Sequence, residues 1–423
     1  MRQQSLNKFL IELQYYTGSP KSWNASFACK RDGILISENG GAYYHRITIM
    51  SIIKSVRTHL ILIERKKDIL PKTSHGSVTH NEYVIIEIET RDGVVGVGEV
   101  TASVGWNGEE GAGSADLMIR KVTPAITGLD VADWDSVSRR IEQWTRHRPF
   151  LRAAVEMACL DAEGKIKGKN VSDLFGGALR REFTTKLVLP AREAEVVRGM
   201  AAIARDRGAK AFKVKVGLDI EADCARLAAV RDVIGSEPAL LVDANEGWRP
   251  TDESTIIKLA DIFNIACIEQ PYPRRFAKES AQLQSKTSAL LMADESVWTL
   301  DQVEKIAENK SFKVVSLYPG KQGGLRSCLD SARRATELGL GVSLGSNLET
   351  GVGSAPMAHF LALAPALAPE VPGDLIGPLY YVDDVTTGTP WITWKGAHLP
   401  EGPGLGIELD YDSLKRHKFS VSV

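Results

Sequence analysis

The sequence predicts an α/β chain: a (β/α)8-type barrel preceded by a smaller α+β domain. Three observations carry this. From Thr184 onward, short apolar strands alternate with amphipathic helical stretches. Three of those strands end in an acid, at Asp243, Glu269 and Asp294, with spacings 269 − 243 = 26 and 294 − 269 = 25. One strand–helix unit of such a barrel takes about 25–30 residues. Before Thr184 the order is different, with strands first and helices after.

The chain of 423 residues is 43% hydrophobic and 25% charged, with a formal net charge of -1. That length suits one large barrel plus a smaller domain, and the charge balance favours neither nucleic acid nor a membrane surface as partner. Cys29, Cys159, Cys224, Cys267 and Cys328 are scattered singly, and the odd count without C-x-x-C argues against a disulfide framework. Cys159, Cys267 and Cys328 lie in apolar runs and read as core. A reducing, cytoplasmic setting is expected. No apolar run reaches bilayer-spanning length, and the N-terminus lacks a secretory-signal pattern.

In chain order, residues 1–49 show no sustained period, and regular alternation starts just after Met50. The compact protein is expected to begin near Met50, with 1–49 an extension or a start-site artefact. Residues 50–180 form the α+β domain. Its strands are expected over 56–64, 83–90 and 94–99, the last two joined by a turn at Arg91-Asp92-Gly93. A polar, hydroxyl-rich loop at 72–81 suits a mobile lid, and a second loop follows at 103–109. Helices are expected over 114–127, 133–145 and 151–167. Residues 181–378 form the barrel, with strands near 184–189, 211–216, 239–243, 266–269, 290–293, 313–317, 342–345 and 373–376. Residues 379–423 are a Gly-rich return toward the first domain.

Ala211-Phe-Lys-Val-Lys-Val-Gly217 is the second barrel strand. Alternation sends Phe212, Val214 and Val216 to one face and Lys213 and Lys215 to the other. In a closed parallel barrel those lysines face inward, and two ammonium groups so close lower at least one pKa, which makes a usable base. The alternative is a lysine pair on the wet face of an antiparallel strand. Asp243, Glu269 and Asp294 fall at the mouth where barrel enzymes keep their chemistry. Each alone reads equally as a helix N-cap. Together they need a cation, and hard oxygen donors suit Mg²⁺, with Mn²⁺ an alternative. A substrate carboxylate bound there would have an α-proton that Lys215 can remove, with Lys213 adding positive charge beside it.

These residues resemble the enolase superfamily, in its muconate-lactonizing-enzyme-like (mandelate racemase/muconate lactonizing enzyme) branch. The motifs are Gly96-Val-Gly-Glu99, Val171-Ser-Asp-Leu-Phe-Gly-Gly177, Lys213-Val-Lys215, Val242-Asp-Ala-Asn245, Ile268-Glu-Gln-Pro271, Ala293-Asp-Glu-Ser296, Gly323-Gly324 and Gly345-Ser-Asn-Leu-Glu-Thr-Gly351. The likeness runs from about Ile52 to Leu409. It implies a modified TIM barrel with an N-terminal α+β capping domain whose loops cover the mouth. It also implies Mg²⁺ on Asp243, Glu269 and Asp294, Lys215 as the acid/base, and a homo-oligomer.

Strand seven, Gly-Val-Ser-Leu-Gly345-Ser346, has no histidine, unlike the mandelate-racemase-like branch, and His359 falls on the next helix as a packing residue. The eighth-strand Asp-x-Asp of dipeptide epimerases is incomplete in Pro372-Gly-Asp374-Leu-Ile376. At strand six the branch places a lysine a few residues before Gly-Gly. Here the text is Ser316-Leu-Tyr318-Pro-Gly-Lys321-Gln-Gly-Gly324, with Tyr318 at that position. Either Tyr318 replaces the second base, which is the favoured reading, or the loop bends and Lys321 reaches in. A phenol donates but is a poor base. One-base chemistry on a small carboxylate follows: a lyase, dehydratase or cycloisomerase. The alternatives are an N-acylamino acid or dipeptide racemase/epimerase, and a non-catalytic metal- and carboxylate-binding homologue. Trp106, His75 and His80 are candidate substrate contacts, Glu349 a supporting hydrogen-bond partner, and Asn245 either a metal contact or a helix cap.

Overall fold

The computed structural model describes residues 26–30, 33–38, 41–45, 51–66, 72–73, 76–77 and 79–419. The chain divides into two compact units, Met1–Met50 and Ser51–Val423.

In the first unit, strands Ser26–Lys30, Gly33–Glu38 and Gly41–His45 form an antiparallel meander, with Ser26 opposite Ser37 and Ile34 opposite His45. The sequence reading expects no regular element there. Strands this short give too few residues for a sustained period. The rest of that stretch lies outside the described residues.

The second unit begins with an antiparallel sheet in which His80–Thr90 runs between Ile53–Glu64 and Val95–Ala102. The expected turn is there, with Gly93 at φ 81 and its N–H donating to the Thr90 carbonyl at 3.0 Å. The helix Pro149–Lys167 lies across this hairpin. It starts on a proline and stops at left-handed Gly168. Its backbone comes so near that a β-carbon on Gly96 or Gly98 would stand 2.0 Å from the carbonyl of Ala158 or Ala154. This close approach is the physical reason for Gly96-Val-Gly98. The expected helix over 114–127 is three pieces, Gly111–Leu117, a π turn Met118–Val122, and Thr123–Ile126.

Among the described residues the barrel has seven parallel strands, in order Leu187–Leu189, Ala211–Lys215, Ala239–Asp243, Ile265–Glu269, Leu290–Ala293, Val314–Leu317 and Gly341–Leu344. The expected eighth strand over 373–376 does not form. A single parallel bridge joins Thr185 to Gly373. The Lys186 N–H donates to the Gly373 carbonyl, and the Asp374 N–H donates to the Leu344 carbonyl, both at 3.0 Å. Pro372 has no N–H to give, and a 3-10 turn over Gly377–Tyr380 follows at once, so the ring closes through two bonds rather than a ladder. The alternating strand residues Phe212, Val214 and Val216 are buried, as their face requires. Cys159, Cys267 and Cys328 are buried and Cys224 is exposed.

Residues 379–419 return to the strand Ile53–Glu64 of the second unit. The Val382 N–H donates to the Glu64 carbonyl, Leu62 N–H to His417, and Phe419 N–H to Leu60, at 2.9–3.1 Å. Gly404 sits where a β-carbon would meet Asp161 Oδ1, and the Leu405 N–H donates to that oxygen at 2.8 Å. No helix among the described residues is long and apolar enough to cross a membrane.

Candidate active site

Strand register sets the site. Lys215 pairs with Asp243 across one pair of strands, and Asp243 with Glu269 across the next. Parallel neighbours at one rung point their side chains the same way, so all three meet inside the barrel mouth. Asp294 stands one residue beyond the paired Ala293. Lys215 Nζ donates to Asp243 Oδ2 at 2.5 Å and to Asn245 Oδ1 at 2.8 Å. Lys213 Nζ donates to Glu269 Oε2 at 2.9 Å and Asp374 Oδ2 at 2.6 Å, with Asp243 Oδ2 at 3.4 Å. Asn245 also donates from Nδ2 to Glu295 Oε1 at 3.0 Å.

Burial and charge compete here. Burial alone would lower the Lys213 pKa, but Asp374, Glu269 and Asp243 outweigh it and hold the ammonium well above its ordinary value. The expected fall of a lysine pKa is therefore not found at Lys213, because its neighbours are carboxylates and not only Lys215. Against the burial that raises it, Lys215 and Lys213 hold Asp243 below its ordinary value. Burial and the adjacent Asp243 push Glu269 up.

At strand six the structure places both candidates. Tyr318 follows Val314–Leu317 directly, and the short helix Pro319–Gln322 carries Lys321 back to the fifth strand. The turn closes on Gly323 at φ 76 and Gly324 at φ 140, where a β-carbon would strike Glu156. Lys321 Nζ donates to Asp294 Oδ1 at 2.5 Å, to the Asp294 carbonyl at 2.8 Å and to the Ser316 carbonyl at 2.9 Å. An ammonium has three hydrogens, so these acceptors use all of them. The Tyr318 ring is fully buried, with centroids 6.1 Å from Trp106 and 6.2 Å from Phe150. Its hydroxyl meets no hydrogen-bond partner among the described residues. Burial first, then Asp294 and Glu349, push its pKa well up.

A cavity of about 480 Å³ opens over this cluster, lined by Lys213, Lys215, Asp243, Glu269 and Asp294 from the barrel and by Trp106 from the first domain. Trp106 is half-buried against Tyr318, Phe150 and Trp298 and is no free loop aromatic. His80 lines the cavity, but it opens the strand His80–Thr90 and so does not belong to a loop running to 81. His75 lies outside the described residues. Glu349 accepts from Ser346 Oγ at 2.6 Å and from the Asn347 N–H at 3.0 Å, and burial pushes it up to about 7. His359 is buried on its helix with Nε2 3.3 Å from the Leu405 carbonyl, as a packing residue.

The donor set can be tested against a hard dication. Among the described residues no three carboxylate, imidazole or thiol groups converge closely enough to hold a metal as they stand. Each of the three carboxylates instead meets a lysine. The donor chemistry fits Mg²⁺ or Mn²⁺. Asp243, Glu269 and Asp294 are oxygen donors from consecutive strands, and the repulsion that raises Glu269 is what a cation relieves.

Three members of the site were not singled out from sequence. Asp374 was noted only as half of an incomplete motif, yet it bonds Lys213. Lys186, fully buried, donates to the Pro372 carbonyl at 2.6 Å and stands 3.3 Å from Asp374 Oδ1. The alternation Lys186-x-Val188 into the first strand is a signal that could have found it. Arg65 lines the cavity from the first domain, and a lone arginine at a strand end carries no pattern.

Comparison with known proteins agrees with this geometry. Residues 57–176 match the mandelate racemase / muconate lactonizing enzyme N-terminal domain, and residues 195–413 match the enolase C-terminal domain-like family. The chain is 30% identical to N-succinyl-L-Arg/Lys racemase of Bacillus cereus over 346 residues, 81% of this chain and 92% of that one. It is 29% identical to muconate cycloisomerase 1 of Pseudomonas putida, over 79% and 89% of the two chains. The crystal structure of muconate lactonizing enzyme from Pseudomonas fluorescens complexed with muconolactone superposes with a TM-score of 0.83 at 27% identity, covering 88% of this chain and all of that one. With both domain models matched in order and the lysine–carboxylate mouth in place, the chain belongs to the muconate-lactonizing-enzyme-like branch of the enolase superfamily.

Proposed function

We propose that this chain removes the α-proton of a small carboxylate with Lys215 as base, in a one-base lyase, dehydratase or cycloisomerase reaction. The observation that carries the reading is the Lys215 side-chain nitrogen on the cavity wall, fixed by Asp243 and Asn245, with a phenol and not a free amine at the end of strand six. Asp243, Glu269 and Asp294 would hold Mg²⁺. When bound, it supplies the Lewis acidity that makes such a proton removable. Asn245 orients Lys215 toward the cavity. Lys213, kept charged by its carboxylates, adds positive potential where negative charge develops. Lys321 has no hydrogen left to offer a substrate and fixes Asp294. Tyr318 donates but does not accept a proton near neutral pH.

A second reading, racemisation of an N-acylated amino acid, is favoured by the racemase relative. It needs a second base, and Lys321 would have to leave three acceptors to serve. Incubation with Mg²⁺ in D₂O and a panel of acyl amino acids, hydroxy acids and muconates, followed by proton NMR, separates the two. Exchange with retained chirality supports the first, and a racemic product supports the second. Exchange that survives Lys215→Ala sinks the role of that lysine.

A further inference from the structure

The three carboxylates at the barrel mouth are not placed by one device. Asp243 and Glu269 face each other on a rung of the parallel ladder. Asp294 lies beyond Ala293, the last paired residue of its strand, so no rung fixes it.

The side chain that reaches Asp294 from the fourth strand is Gln270, fully buried in the motif Ile268-Glu-Gln-Pro271. The Gln270 N–H donates to the Met292 carbonyl at 2.9 Å, which carries the ladder one step past Glu269. In a regular parallel pair the next bond would run from the Asp294 N–H to the Gln270 carbonyl. Here the backbone turns aside instead. Gln270 stands at φ 38, where non-glycine residues are uncommon and where the following Pro271 would favour extended backbone. Its carbonyl is directed to the Glu246 N–H, at 3.0 Å.

The Gln270 side chain takes the vacated place. Its Oε1 accepts from the Asp294 and Ser296 N–H groups, both at 3.1 Å. Its Nε2 donates to the Tyr272 carbonyl and to Ser296 Oγ, both at 2.9 Å. Both amide hydrogens and both lone pairs are used, so the carboxamide is held in one orientation. Lys321 grips the other side of Asp294, donating to its carbonyl and its carboxylate. The N–H and the carbonyl of Asp294 therefore both end on buried side chains.

We infer that Gln270 is the positioning residue for the third metal ligand. Its carboxamide stands in for a missing ladder rung, and by fixing Asp294 it sets the carboxylates for a small cation such as Mg²⁺ against a larger one such as Ca²⁺. Mg²⁺ demands near-ideal geometry, whereas Ca²⁺ accepts irregular oxygen cages, so a rigid Asp294 favours the first. The inference rests on the Mg²⁺ reading above and adds the residue that makes the site discriminate.

The test is calorimetric titration of the metal-free protein with MgCl₂ and with CaCl₂, in the absence of substrate. Gln270→Met removes all four side-chain bonds and should weaken Mg²⁺ binding by about ten- to a hundredfold. Ca²⁺ should lose less. Gln284→Met is the control. Gln284 Nε2 donates to the Ala289 carbonyl at 3.2 Å and its Oε1 accepts from the Leu291 N–H at 2.8 Å, so it braces the opposite end of the same strand. That change should lower the melting temperature and leave both affinities alone. Gln270→Asn keeps the amide one methylene short and tolerates left-handed backbone. It should also weaken Mg²⁺ more than Ca²⁺, and serves if Gln270→Met does not fold. Unchanged Mg²⁺ affinity in a folded Gln270 variant overturns the inference and leaves the Mg²⁺ reading standing. So does an equal loss for both ions, or the same loss in Gln284→Met, since either reports a general loosening. A parent protein that binds neither ion overturns both.

Discussion

Tyr318 lies against Gly345, one position past the paired ends of strands six and seven, where a β-carbon on the glycine would come within 2.9 Å of the tyrosine ring and 2.2 Å of Ser316 Oγ. Gly345→Ala should therefore cost about 1–3 kcal/mol, measured by urea unfolding, because neither neighbour can move without disturbing the packed mouth. An alanine variant as stable as the parent would show that the ring is free to shift.

The Tyr318 hydroxyl is buried without a hydrogen-bond partner among the described residues. Removing it in Tyr318→Phe should leave stability unchanged or raise it by about 1–2 kcal/mol. Turnover should nevertheless fall at least about tenfold if the phenol donates to substrate. Full activity in the phenylalanine variant removes that hydroxyl from the mechanism.

Lys215→Ala leaves Asp243 still near Lys213 at 3.4 Å, so the fold should persist. Metal-dependent α-proton exchange should drop by about 10²–10⁴ while the melting temperature stays close to the parent's.

Lys213 carries a structural burden as well. Lys213→Met strands Glu269 in the interior, leaves Asp374 with Lys186 alone, and should cost about 3–5 kcal/mol, the penalty for breaking a buried pair from one side. Adding Asp374→Asn should recover part of that loss in a double-mutant cycle. No recovery would mean the two residues are not coupled.

Burial holds the Glu99 carboxyl up at about 7, against the bonds it accepts from Thr350, Thr101 and Gly353 and with the help of Glu349. Folded Glu99 thus binds its proton more tightly than the unfolded chain, whose value is 4.5. Its contribution is present below that value and is lost as pH rises through about 7, a change on the order of 3 kcal/mol. Unfolding free energies across pH 4 to 8 should fall less steeply in Glu99→Gln than in the parent between those two values. Parallel profiles would assign the slope to other carboxyls.

Much of the site was legible because barrel geometry turns spacing into position. Asp243, Glu269 and Asp294 keep step in sequence and land at the ends of neighbouring strands, Asp243 and Glu269 on one rung and Asp294 two residues past Met292, the partner of Glu269. Tyr318 was legible by counting back from Gly323-Gly324, but the use of Lys321 was not, since it depends on the reversal over Pro319–Gln322. The favourable alternation of Phe212, Val214 and Val216 placed the lysines correctly inside. It could not reveal that Lys213 rests on Asp374, which comes from a segment with no strand pattern. Arg65 was invisible because its burial is imposed by Tyr381 and Leu348, residues distant in sequence.

The first strand of the antiparallel sheet takes its outer hydrogen bonds from residues far along the chain. Leu62 N–H donates to His417 and Phe419 N–H donates to Leu60, a separation of 417 − 62 = 355 residues. During synthesis that edge emerges early and waits, with open peptide groups, until the whole barrel has been translated. The newborn first domain is therefore a template for wrong pairing with another nascent chain. A truncation just before residue 417 should leave the barrel intact and expose that edge, so its consequence would be felt as clumping on the ribosome before any loss of chemistry.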